Sequence, residues 1–192
     1  MVCLFIFREN DYDVCRYPPI DTEDLVKHMP NLRAKRDNIV ISFAQFRPEK
    51  DHPLQLRVWK RVLNKLPRDS EFWLVGSVRD PDDERIVNEL KSLAKQLGID
   101  STIKFVINKP RKDILDILSQ AKVAIHTMKN EHFGIVVAEL MASGIVTIAH
   151  KSAGPLLDII GGADKDVGYL ATNENEYALF IERAMNNWND HL

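Results

Sequence analysis

A chain of 192 residues, 45% of them hydrophobic, is long enough to enclose one well-packed core but short for two domains. Its 26 Lys and Arg nearly cancel its 28 Asp and Glu, and no basic stripe follows any predicted helix, which argues against a nucleic-acid surface. Cys3 and Cys15 have neither CxxC nor Cys/His spacing, so two reduced, partly buried thiols are expected rather than a zinc site or a disulfide framework.

The apolar run VCLFIF after Met1 is too short to span a bilayer and is not followed by a small-residue cleavage site, so the chain is expected to be soluble. Residues 1–37, with RENDYDVCRYPPIDTEDL, mix charge with a Pro-Pro pair and read as an irregular segment packed on the edge of a domain. From Ile39 onward short apolar runs alternate with longer amphipathic stretches, the pattern of repeated βα units. Strands are predicted at 39–46, 71–77, 102–107, 122–127, 145–150 and 167–171, and helices at 53–66, 82–97, 111–121, 134–143, 154–160 and 174–188. Strands this apolar are buried on both faces. The expected class is therefore α/β, a Rossmann-like parallel sheet with right-handed crossovers and helices on both faces, formed by residues 38–192.

In such sheets ligands bind beyond the carboxyl ends of the strands. Four loops there carry polar groups or glycine: QFRPEK, GSVRD, HTMKNEHFG and HKSAGP. The segment after the third of these holds the most informative residue. Ile135, Val136, Val137, Leu140 and Met141 surround most of the helix predicted from Gly134 to Ser143, so it should be buried, yet Glu139 is its one charge. A buried carboxylate needs a donor, either a neighbouring Arg or Lys or the hydroxyls of a ligand. Gly134 permits close approach at the helix N-terminus, whose N–H groups and dipole suit a phosphate, and Glu131 stands just before it.

A pair of glutamates spaced E-x7-E is common. With Phe133-Gly134 inside it, MASG after it and SAGP further on, it resembles the C-terminal, donor-binding half of retaining GT-B glycosyltransferases. The similarity runs from about Tyr17 to the end. RYPPID, QFRPEKDHPLQLR, IHTMKNEHFGIVVAELMASG and AHKSAGPLLDI narrow it to the eukaryotic alpha-1,2-mannosyltransferases of the dolichol pathway, with His132 in EHFG part of that narrower match.

The resemblance implies a GDP-mannose donor and a dolichol-diphosphate-linked oligosaccharide acceptor, in N-glycan precursor assembly at the cytosolic face of the endoplasmic reticulum membrane. It also implies that residues 1–37 lead in from an acceptor-binding N-terminal half outside this sequence, that membrane association belongs to the full-length protein, and that the chain alone transfers little. Arg47 and Lys50 fall where the family places basic residues on the donor diphosphate, and a guanidinium fork with an ammonium suits a pyrophosphate leaving group without a metal. Glu131 would meet the transferred mannose as the catalytic-site carboxylate, Gly134 and Ile135 would offer N–H groups to sugar and phosphate, and Glu139 would accept from the nucleoside ribose.

Gly76, His126 and His132 are further candidate donor contacts. For His126 a satisfied core histidine is an equal reading, and for His132 a role in shaping its loop is favoured over donor contact. Ser152 and Gly154 are candidates for the acceptor side. The DPD run at 80–82 could suggest a metal pair, but Asp82 is well placed as a helix cap and no metal is expected. Two other readings stay open: half of a GT-B-fold sugar-nucleotide epimerase, and a non-catalytic nucleotide-sugar or partner-binding module.

Overall fold

The computed structural model describes residues 23–29, 35–162 and 167–188. Both cysteines and the RYPPID stretch lie outside them. A short helix, α1 (Glu23–His28), comes first; it falls inside the segment expected to be irregular, and its Leu25 is fully buried. The strands are β1 (Ile39–Phe43), β2 (Glu71–Gly76), β3 (Ile103–Ile107), β4 (Val123–His126), β5 (Val146–His150) and β6 (Gly168–Ala171). The longer helices are α2 (His52–Val62), α3 (Pro81–Leu97), α4 (Arg111–Gln120), α5 (Ile135–Ala142) and α6 (Glu174–Asn186). A turn of π-helix, Pro155–Ile159, occupies the helix position expected after β5.

The strands form one 6-stranded sheet in the order β3-β2-β1-β4-β5-β6, and every pairing is parallel. Alternate residues along each strand feed opposite layers, because successive side chains point to opposite faces. Val40, Phe72, Leu74, Val123 and Ile125 pack with α2, α3 and α6 residues such as Trp59, Leu90 and Ile181. Ile39, Ile41, Trp73, Val75 and Ala124 pack instead with Leu25 of α1, Leu115 and Leu118 of α4 and Leu140 of α5. Each fully buried Leu, Ile or Phe contributes roughly 1.5–3 kcal/mol, so both layers are needed to hold the sheet.

Arg36 fastens one layer at its base. It is 2% exposed, and its guanidinium donates to the carbonyls of Leu118 (3.1 Å), Ala121 (2.8 Å) and Ser143 (2.6 Å). Those carbonyls lie at the C-terminal ends of α4 and α5, where carbonyls lack helical partners and the helix dipole is negative. A cation from the segment before β1 thereby fixes the axis of α5, the helix that bears Glu139.

Two expectations need correction here. β1 stops at Phe43 rather than at residue 46, because the chain turns into the Pro48–Lys50 3-10 turn, although Phe46 still reaches the core. The cap of α3 is Asp80, not Asp82: Pro81 takes the first helical position, so the residue before it accepts from the Asp83 N–H at 2.9 Å, while exposed Asp82 pairs with Arg85.

Candidate active site

Strand order reverses between β1 and β4, so the loops that follow them diverge and leave a crevice at the carboxyl edge of the sheet. The β1 loop supplies Lys50. Its backbone is bolted across the crevice: the Thr127 hydroxyl just past β4 donates to the Lys50 carbonyl at 2.6 Å and accepts from Gln55 Nε2 at 2.8 Å. Asp51, with φ of 48°, turns the chain from this loop into α2 and accepts from the Leu54 N–H.

The β4 loop supplies Glu131. Lys50 Nζ lies 3.2 Å from Glu131 Oε2, and His126 Nε2, on the last residue of β4, lies 3.3 Å from the same oxygen. Oε1 has no partner among the described residues. The His126 contact lies outside the geometry of a full hydrogen bond, yet its polarity acts strongly on the carboxylate. His126 first, and then the Lys50 ammonium, outweigh desolvation and hold Glu131 at about 2, so it is ionised throughout the physiological range. His52, the first residue of α2, is 2% exposed and stacks on Phe46. Burial first, then the Lys50 charge and His126, push it down to about 4, and it is neutral near pH 7.

A second loop holds this arrangement in shape. The Gly154 N–H donates to the Glu131 carbonyl at 3.0 Å, and Ser152 Oγ accepts from the Asn130 N–H at 2.9 Å. A Cβ on Gly154 would stand 2.4 Å from the His132 carbonyl oxygen, so only glycine lets the loops approach this closely. Ser152 and Gly154 thus support the Glu131 loop.

Gly134, with φ of 62°, is the N-cap of α5, and as a glycine it offers the N–H groups of the first turn no side-chain cap. The helix is less buried than its composition suggests. Val137 and Leu140 are buried, but Ile135 is 39% and the preceding Phe133 47% exposed, because the carboxyl edge of the sheet leaves this end of α5 open. Glu139 is half-buried. Its carboxylate lies 3.9 Å from Arg111 Nη1, at the start of α4, and desolvation raises its pKa against the pull of that cation. The Arg partner offered by the sequence therefore exists, at the outer limit of an ion pair.

Among the candidate residues, the fold brings together Lys50, Glu131 and His126. Arg47 stands on the same turn as Lys50 but pairs with Glu49 at 3.7 Å. His132 is exposed next to Phe133. Gly76 has a reason within the chain, since a Cβ there would stand 2.0 Å from the Ala44 carbonyl oxygen. Among the described residues no group of three or more His, Cys, Asp or Glu could hold a metal ion. His52, Gln55 and Thr127 were not singled out by the sequence. Only the strand–loop–helix placement of QFRPEKDHPLQ and IHTM could have pointed to them, since their burial comes from contacts between distant loops.

Residues 26–191 match the family Glycosyl transferases group 1. The chain belongs to this family. It is 41% identical over 177 residues to the human GDP-Man:Man(3)GlcNAc(2)-PP-Dol alpha-1,2-mannosyltransferase, covering 88% of this chain and 36% of that protein. It is 42% identical over 180 residues to the Dictyostelium discoideum protein of the same name, covering 88% and 34%. The chain thus spans about a third of the length of these relatives. The solved C-terminal domain of a glycosyl transferase group 1 family protein (LpcC) from Francisella tularensis is similar in fold, with a TM-score of 0.68, 24% identity, and 90% of this chain and 86% of that one covered. The glycosyltransferase fold expected from the sequence is therefore present, in the GT-B form. Among its described residues no helix is long and apolar enough to cross a membrane.

Proposed function

We propose that this chain is the donor-binding domain of a retaining alpha-1,2-mannosyltransferase that moves mannose from GDP-mannose to a dolichol-diphosphate-linked oligosaccharide. The observation that carries this reading is the meeting of Lys50 and Glu131 at the switch point of the sheet, in a chain about 40% identical to relatives whose names specify that donor and acceptor. A cation fit for a diphosphate and a carboxylate ionised at physiological pH, fit for sugar hydroxyls, stand within one nucleotide sugar's reach.

In this reading Lys50 and Arg47 neutralise charge that grows on the departing diphosphate, and the uncapped N-terminus of α5 at Gly134 and Ile135 adds backbone N–H groups. No metal is required. Glu131 accepts from the mannose and stabilises positive charge as the glycosidic bond opens, with Oε1 free for the contact. Glu139 accepts from the ribose, which gives a half-buried carboxylate stronger partners than Arg111 provides. Gly76, His126 and His132 border the donor. Residues 1–37 lead in from an acceptor-binding part of the full-length protein, which acts at the cytosolic face of the endoplasmic reticulum membrane.

The test is a chimera in which this chain replaces the matching segment of the Dictyostelium relative. Transfer of mannose from GDP-mannose to a lipid-linked acceptor, abolished by Glu131→Gln, is expected. Transfer from a UDP-sugar, or transfer insensitive to Glu131, contradicts the proposal.

A further inference from the structure

Lys50 and His126 converge on one oxygen of Glu131, but the two are not equally able to leave it. The Lys50 backbone is fixed by Thr127 and Gln55, while its ammonium sits at the end of a flexible stem whose side chain is 15% exposed. His126 has a side chain 3% exposed, and its backbone carbonyl accepts from Tyr177 Oη at 3.1 Å. An incoming diphosphate can draw Lys50 away. It cannot draw away His126.

We infer that His126 is a positioning residue for Glu131: it holds Oε2 when the donor diphosphate takes Lys50, and binds a proton from solvent as it does so. The inference rests on the donor-binding reading above and adds to it a linkage between nucleotide binding and protonation. Without Lys50 beside it, Oε2 keeps only the His126 ring as a partner among the described residues, and an anion this close favours the charged imidazole. Glu131 then stays ionised and fixed through Oε2, which leaves Oε1 aimed at the sugar. The charged or titratable neighbours of this cluster are few. His52 of α2 is neutral near pH 7, the Tyr177 hydroxyl of α6 is raised by burial and stays protonated, and Asp51 is engaged as the cap of α2. Asp51 and, beyond Tyr177, Glu176 keep their negative charges in wild type and variants alike, so differences between them report the Lys50 and Glu131 contacts with His126.

The experiment follows the imidazole Cε1–H resonance of His126 by NMR across pH, assigned by its loss in His126→Gln. Lys50→Met keeps the apolar stem and removes the ammonium. In that variant His126 should bind its proton about tenfold more tightly than in the wild type, the scale of removing one like charge and strengthening one opposite one. Glu131→Gln should weaken proton binding, which keeps the inference testable if Lys50→Met does not fold. GDP-mannose, whose diphosphate has no titrating oxygen near neutrality, should tighten it as Lys50→Met does. Unchanged or weaker proton binding in Lys50→Met overturns the inference, as does unchanged binding in Glu131→Gln. If GDP-mannose moves no resonance, the donor-binding reading fails, while the two variants still decide the role of His126.

Discussion

Glu131→Gln should change the affinities for GDP and GDP-mannose in opposite directions. The Glu131 carboxylate pairs with Lys50 at 3.2 Å, with side chains 15% and 19% exposed. A pair of this exposure is worth about 1 kcal/mol, at the upper end for solvent-accessible ion pairs. The amide releases Lys50 and removes a negative charge beside the diphosphate, so GDP should bind about fivefold more tightly. GDP-mannose gains the same release but loses a hydroxyl bond to a charged acceptor, about 1.5–3 kcal/mol, and should bind about 2- to 30-fold more weakly. Isothermal titration calorimetry with both ligands on both proteins measures this directly. A parallel loss for the two ligands, or no change in either, would refute the assignment of Lys50 to the diphosphate and Glu131 to the sugar.

Three further outcomes follow from the same geometry. Glu131 is held at about 2 against an ordinary 4.5, so its share of stability is fully present above the higher value and is lost as pH falls through the lower. Relative to Glu131→Gln, wild type should lose about 2 kcal/mol between about pH 5 and pH 2 after allowance for solvent screening, measured by urea unfolding. Arg36→Met leaves the carbonyls of Leu118, Ala121 and Ser143 without their buried donor and should cost about 3–5 kcal/mol; a change below about 1 kcal/mol would show that α4 and α5 do not depend on it. Gly154→Ala must push back the His132 carbonyl and should weaken GDP-mannose binding by about tenfold or more, since small displacements at a site are costly, with GDP affected less.

Much of this architecture is legible in local pattern. Every predicted strand is present within a few residues, because runs such as IVIS and WLV must be covered on both faces and a parallel sheet does that. The helix 174–188 is equally plain: Asn173 accepts from the Asn175 and Glu176 N–H groups at its start, and Tyr177, Ile181 and Met185 recur on its buried face. What failed was non-local. Apolar composition alone put α5 in the core, but Ile135 lies at the open edge of the sheet, and a sequence does not say which apolar side chains another surface covers. Lys50 and Glu131 could each be picked out, by motif and resemblance, yet their contact joins residues 81 positions apart and follows from strand order rather than from spacing. His52 carries no periodic signal, since a histidine beside Asp51 and before Pro53 reads as an exposed helix start until the packing of Phe46 is known.

The central claim is that the loops after β1 and β4 bind a guanosine diphosphate sugar through protein groups alone. Titration of the chain with GDP, UDP and ADP, each with excess chelator, tests it most directly. The account predicts that GDP binds, that UDP and ADP bind about tenfold more weakly or less, that Lys50→Met and Glu139→Gln each weaken GDP, and that the chelator changes nothing. Binding that vanishes with the chelator, or that prefers UDP, or that ignores both substitutions, would contradict it.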